Sequence, residues 1–322
     1  MVSGMDTSQT YLLHDLRIVF SVTDHLAAQR LAKQWQPFRA VHASNIASIY
    51  FSLNFSDKPP AYPQMPLISD GEHVAHYRQG DRLVSVFHGW GRFELDLAEG
   101  FITGVMRRAA IQRYGVFEDM ILLAMTPLLR RRGYFPIHAF AAAVGERALV
   151  LLGDIGAGKT TTGISLLARG ARLIANDSPL VRLVEDIPIL HAYPGLLSAY
   201  PDSIRRFPQL LHLLIHGEVL DGSEKISFPP DAILADPWAQ WGRPALLLFP
   251  RISPDLRRSR VVPMARFEAL KRLVAQSIED WDVETIPTHM YYLRRLVESA
   301  PAYELLLAPD ISDLPDLLLA LL

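Results

Sequence analysis

The sequence predicts an α/β fold, and three observations carry that expectation. The stretch RALVLLGDIGAGKTTTGISLLARG runs from a short apolar strand through a glycine-rich turn into a helix, the order in which α/β units are built. Short apolar runs then recur at ARLIAND, IPILHAYP, PALLLFP and AYELLLAP, and strands without polar alternation need cover on both faces. Between His73 and Met106, by contrast, apolar and polar residues alternate between the turns GD, GWG and EG, which marks an antiparallel meander and a β-rich beginning.

Taken in order, YLLHDLRIVFSV reads as a strand and HLAAQRLAKQWQPF as a helix with one apolar face. IASIYFSLNF is rich in β-formers, and the proline-bearing SDKPPAYPQMP reads as an extended loop. After the meander, VFEDMILLAMTPLLRRRGYF predicts a helix ending near Gly133, whose basic last turn suits the helix dipole. FPIHAFAAAV follows as a strand. The change of rhythm near residue 130 divides the chain into a β-rich mixed α+β region over 1–130 and an α/β region over 131–322. No Gly/Ser-rich linker, internal repeat or low-complexity tract accompanies the change.

Composition narrows the function classes. A chain of 322 residues that is 50% hydrophobic can bury a sizeable core. A net charge of −2 gives no global field for nucleic acid or an anionic membrane. The absence of cysteine excludes disulfides, thiolate zinc sites and a cysteine nucleophile. The beginning of the chain has no basic start, its apolar residues are interrupted by His14, Asp15 and Arg17, and no apolar run approaches a membrane span. These features lead us to expect a soluble, cytoplasmic protein.

Gly153, Asp154, Ile155, Gly156, Ala157, Gly158, Lys159 and Thr160 fit G-x-x-x-x-G-K-[ST]. Glycines permit positive φ, so that successive N–H groups can curl around phosphate oxygens, and the following helix adds its N-terminal dipole. Lys159 is placed to reach the β and γ oxygens, and Thr160 to put its hydroxyl on Mg²⁺. With Thr161, these residues are the candidate nucleotide-binding set. A second carboxylate for the metal is expected at the end of a neighbouring buried strand. Asp177, one helix and one strand after Lys159, is the first candidate, and Asp310 in LLLAPD a weaker one.

His138 in PIHAFAAAV, the loop GDIGAGKT and the step RGARLIAND together resemble the catalytic domain of HPr kinase/phosphorylase and related kinases, whose nucleotide fold is similar to that of phosphoenolpyruvate carboxykinase. The resemblance covers residues 134 to 180. It implies a P-loop catalytic domain, ATP and Mg²⁺ as cofactors, a histidine before the P-loop strand at His138, and an acidic pair after the P-loop helix. Here that pair is Asn176-Asp177, and an amide has no anionic form with which to take a proton. Nothing resembles the arginine-rich, proline-containing loop that grips HPr, so HPr itself is not the expected acceptor. Softer matches place Pro194, Asp202 and Lys225 on recurring positions, and assembly into a homo-oligomer is a further implication of the resemblance.

The remaining candidates have simpler readings beside the functional ones. Asp177 before Ser178-Pro179 also fits a turn cap, and His138 on an apolar strand also fits a satisfied core histidine. Asp202, Arg205 and Arg206 either clamp a ligand or form a helix start with a wet surface. His73/His76 and His212/His216 have spacings of metal pairs, but HLLIH lacks the glutamate of zinc proteases. The basic RRSR near residue 258 reads as a solvated loop.

The expected activity is an ATP- and Mg²⁺-dependent kinase acting on a hydroxyl of a peptide, small protein or small molecule. Asp177, His138 and Lys159 are its candidate catalytic residues, and Thr160 and Asp177 its metal ligands. The rival is a nucleotide-gated regulatory module in which Asn176 reflects lost chemistry. Under either reading, the β-rich region is a candidate acceptor-recognition surface by fold-level analogy alone.

Overall fold

The computed structural model describes residues 7–40 and 46–322. Residues 1–6, part of the stretch whose pattern does not fit a signal peptide, therefore lie outside the described residues. The chain divides into two compact units, one formed by residues up to Arg132 together with Leu220–Ser223 and the other by Gly133–Val219 with Glu224–Leu322.

The first unit contains β1 (Thr7–Leu13), β2 (Leu16–Val22), α1 (His25–Trp35), β3 (Ser48–Phe55), β4 (Leu67–Asp70), β5 (Val74–Gln79), β6 (Arg82–Phe87), β7 (Gly91–Asp96), β8 (Phe101–Met106), α2 (Ala109–Gln112) and α3 (Val116–Arg131). Its eight-stranded sheet has the order β1-β2-β3-β8-β7-β6-β5-β4. β2, β3 and β8 run parallel, and the other pairs are antiparallel. The meander between His73 and Met106 forms as β5 to β8. YLLHDLRIVFSV is not one strand, however. It is the end of β1 and the whole of β2, folded back at His14-Asp15, where His14 adopts φ 60°. Asp24 caps α1 by accepting from the N–H groups of Leu26 at 3.0 Å and Ala27 at 3.2 Å. The helix then seats Trp35 against Phe20 and Tyr11, with ring centroids 5.2 and 5.5 Å apart.

The second unit contains β9 (Phe135–Pro136), β10 (Ala139–Val144), β11 (Arg147–Leu152), α4 (Lys159–Leu167), β12 (Arg172–Ala175), β13 (Leu180–Val184), β14 (Ile187–His191), β15 (Leu197–Ala199), α5 (Pro201–Ile204), α6 (Leu213–His216), β16 (Glu218–Val219), β17 (Ile226–Phe228), β18 (Trp241–Ile252), β19 (Arg260–Met264), α7 (Arg266–Ser277), α8 (Ile286–Ser299), β20 (Ala302–Leu307) and α9 (Leu314–Leu319). Its large sheet is mixed. β11, β18 and β20 are parallel neighbours, whereas β10 lies antiparallel between β11 and β12. β14, β13 and β9 extend the sheet beyond β18, β19 pairs with β20, and β15, β17 and β16 form a separate small sheet.

The apolar runs are strands with both faces covered, as their composition demands. On β11, Leu149 and Leu151 join Phe140, Leu246, Leu248, Leu305 and Leu307 in a core closed by Ile164 and Leu167 of α4 and by Leu314 and Leu318 of α9. Val150 and Leu152 on the opposite face of β11 are equally enclosed, and α8 packs against β13, β14 and β18. Each such side chain contributes about 1.5–3 kcal/mol by burial. Among the described residues no helix is long and apolar enough to cross a membrane.

Gly163, in the middle of α4, looks from sequence like a weak point, since glycine disfavours helix interiors by about 1 kcal/mol relative to alanine. The structure supplies the reason for it. A Cβ at this position would lie inside the contact envelope of the Phe140 ring, so the glycine is what lets α4 approach β10. Gly163→Ala is expected to destabilise the protein by about 1–3 kcal/mol through overpacking, read from urea unfolding. Stability equal to the parent's would show that the close approach carries no cost.

Candidate active site

β11 ends at Leu152, and the chain turns through residues 153–158 into α4. Gly156 and Gly158 adopt φ of 84° and 102°, a conformation that only glycine takes readily. The Ala157 N–H donates to the Asp154 carbonyl at 3.2 Å, which closes the turn. Gly158 is also sterically confined, because a Cβ there would collide with Leu307 of β20. Asp154, Ile155 and Gly156 are exposed at the crest. The first turn of α4 has N–H groups without intrahelical acceptors, at the positive end of the helix dipole.

Lys159, the first residue of α4, is only 8% exposed. Its ammonium donates to the Gly153 carbonyl and to the Asp154 carbonyl at 3.3 Å, and it lies 3.1 Å from His138 Nε2. An ammonium can only donate, so Nε2 is the acceptor and the imidazole carries its proton on Nδ1. That nitrogen faces Asp177 Oδ1 at 3.3 Å. The contact with Lys159 thus assigns the neutral Nδ1–H tautomer, and Asp177 Oδ1 lies beside that nitrogen without hydrogen-bond geometry.

Burial depresses the His138 pKa below its ordinary value and Lys159 adds to the depression, while Asp177 and Asp154 oppose it. Burial likewise lowers the Lys159 pKa, against the pull of Asp177 and Asp154, with Lys225 adding a smaller push in the same direction. Desolvation is the dominant cause for both groups.

His138 is not within a strand, contrary to the reading of FPIHAFAAAV as one element. The pairing breaks after Pro136, and the histidine occupies the bend before β10. A strand position would fix its direction by alternation, whereas the bend lets the ring meet Lys159 and Asp177 together. Asp177 follows the end of β12, and its carbonyl accepts from the Ala139 N–H at 3.0 Å. The antiparallel pairing of β10 with β12 is therefore what sets Asp177 beside His138.

The other candidates are distributed as follows. Thr160 is half-buried on the first turn of α4, and Thr161 donates to Ser203 Oγ at 3.0 Å. Lys225 stacks over the Tyr200 ring at 5.3 Å. Asp202 pairs with Arg205 at 2.5 Å on the surface, and Arg206 donates to the Pro309 carbonyl at 2.5 Å. Asp310 caps its own turn, accepting from the Ser312 N–H at 2.9 Å. Arg258 of RRSR lies 3.6 Å from Asp313. His76 bonds Ser85 at 2.9 Å and His212 bonds the Gln209 carbonyl at 3.0 Å. Among the described residues no group of three or more histidines and carboxylates converges as a metal cluster. Gln276 of α7, which the sequence reading missed, donates to Asp154 Oδ1 at 3.2 Å. No local pattern marks it, because a polar residue on an amphipathic helix has no signature of its long-range partner.

The residues present fit a nucleotide. The loop offers an exposed crest, positive-φ glycines and helix-start N–H groups beside a buried lysine, the donor set that phosphate requires. Mg²⁺ needs only one or two protein ligands beside phosphate oxygens, a demand that Thr160 and Asp177 can meet.

Two outcomes follow from this geometry. Gly158→Ala combines a left-handed φ with the Leu307 collision, and is expected to lower the melting temperature and abolish nucleotide binding; unchanged titration with ATP would refute the cradle. For His138, the unfolded chain takes up a proton as pH falls through 6.5 that the folded chain resists. Stability is therefore present above pH 6.5 and declines below it, down to the depressed folded pKa. His138→Gln should flatten this part of the stability profile measured by denaturant unfolding between pH 7.5 and 5.

No family model matches the chain, and no curated protein matches its sequence. Among solved structures, it is similar to the HPr(Ser) kinase/phosphatase from Coxiella burnetii, with 12% identity over 58% of this chain and 92% of that one, at a TM-score of 0.29. The similarity is distant.

Proposed function

We propose that the protein is an ATP- and Mg²⁺-dependent kinase that transfers the γ-phosphoryl group to a hydroxyl, with serine of a peptide or small protein as the acceptor class. The observation that supports this reading is the line of contacts from the glycine turn through buried Lys159 and neutral His138 to the exposed carboxylate of Asp177. Phosphoryl transfer asks the protein mainly for positioning and charge neutralisation, and these are what this arrangement can supply.

Magnesium-bound ATP would bring the phosphoryl group and neutralise much of its charge. The turn N–H groups would hold the phosphates together with Lys159, which would exchange its bonds to the Gly153 and Asp154 carbonyls for phosphate oxygens, and Thr160 and Asp177 would hold the metal. Asp177 is also the group available to accept the proton of the acceptor hydroxyl. His138, whose Nδ1 lies 3.3 Å from Asp177 Oδ1, borders that carboxylate and passes no charge of its own while neutral. Asn176 cannot share the proton-accepting role.

A hydroxylated small molecule could be served by the same residues. Asn176 in place of the acid that the resemblance implies favours, as a second reading, a module that binds nucleotide without transferring it. The readings separate on incubation with γ-labelled ATP and a panel of peptide, protein and small-molecule hydroxyl acceptors. Lys159→Ala is expected to abolish transfer with the far-ultraviolet spectrum retained, and Asp177→Asn to slow it by roughly 10²–10⁴-fold. Transfer undiminished in Lys159→Ala would sink the assignment. Tight binding by the parent with no transfer to any acceptor would favour the module.

A further inference from the structure

Asp177 is more than half exposed, yet a catalytic carboxylate has to be held in place. Its own carbonyl is tied to the Ala139 N–H at 3.0 Å on one flank. The other flank is held by its neighbour, since Asn176 Nδ2 donates to the Leu196 carbonyl at 3.1 Å and so joins the end of β12 to the segment entering β15. Asn176 Oδ1 is enclosed and has no protein partner among the described residues. We infer that Asn176 is a positioning residue for Asp177, and that its amide is required as an amide rather than standing in for a lost acid.

The chemistry of the contact carries this inference. Leu196 offers a carbonyl, which can only accept, and the amide NH₂ is the one part of the Asn176 side chain that can donate to it. An ionised aspartate of the same shape would set an oxygen against that carbonyl, lose the bond, and leave two unsatisfied oxygens where Asn176 leaves Oδ1 alone. Two acceptors face to face repel, and the strand end next to Asp177 has to move. The Asn-Asp sequence therefore gives one group for chemistry and one for geometry. Restoring a second acid at position 176 should impair the site instead of improving it.

The inference rests on the proposed transfer reaction for its consequence, but its geometry is open to test separately. Asn176→Asp and Asn176→Ala are compared with the full parent chain, the second variant removing the donor without adding an acid, so that one of them remains informative if the other fails to fold. Transfer from γ-labelled ATP is expected to fall by roughly tenfold or more in both, since displacement of a reacting group by about 1 Å can cost as much as 10²-fold. Affinity for ATP measured without magnesium should stay within about twofold of the parent's, because among the described residues the side-chain hydrogen bond of Asn176 runs to Leu196 and not to the turn or Lys159. A general collapse of the fold would move both quantities. Faster transfer in Asn176→Asp overturns the inference. So does a crystal structure of either folded variant in which Asp177 keeps its place beside His138. If the parent transfers nothing, the kinase reading fails by itself, and the variant structures still decide whether Asn176 holds Asp177.

Discussion

The interaction on which the candidate site in the second unit depends is the satisfaction of a buried ammonium. Lys159 has lost most of its water, and an unpaired charge in such a place is costly by several kcal/mol. Its three protons are met by the Gly153 carbonyl, the Asp154 carbonyl and His138 Nε2. Each partner is constrained in return. The two carbonyls must point inward, which fixes the path of the turn, and the imidazole must be neutral with its proton on Nδ1. The position of Asp177 then acquires electrostatic meaning, because it lies at the other end of that imidazole.

The packing beneath the turn serves the same constraint. α4 has to begin where β11 ends and lie close against β10, and Gly163 over Phe140 with Gly158 under Leu307 makes the approach possible. Core leucines of β11, β18 and β20 hold the three parallel strands in register behind the turn. Because interiors are packed as densely as crystals, a displacement at either glycine would be transmitted to the lysine instead of being absorbed. Stability and site geometry are thus properties of the same contacts.

The two units show different kinds of legibility. In the first, the meander could be read because alternation and glycine turns are local signals, and β5 to β8 follow them. The hairpin at His14-Asp15 could not, since a left-handed histidine leaves no composition cue of the kind that glycine or asparagine gives. The parallel placement of β8 beside β3 is equally silent in the sequence. It depends on which edges remain free once the helices have packed.

In the second unit, the strand, the glycine turn and the helix start are legible from residue types at neighbouring positions, because each is formed by the residues that announce it. The sequence also supplied His138, Lys159 and Asp177 as separate candidates. That they meet is a matter of sheet order. β10 lies between β11 and β12, and this order brings the bend at His138 and the end of β12 to the same place. The tether from Asn176 to Leu196 and the reach of Gln276 to Asp154 were likewise decided there. The physical reason is that hydrogen-bond partners far apart in the chain are chosen by sheet order and packing, which depend on all the apolar surfaces together, whereas backbone turns and helix starts are chosen by the few residues that form them.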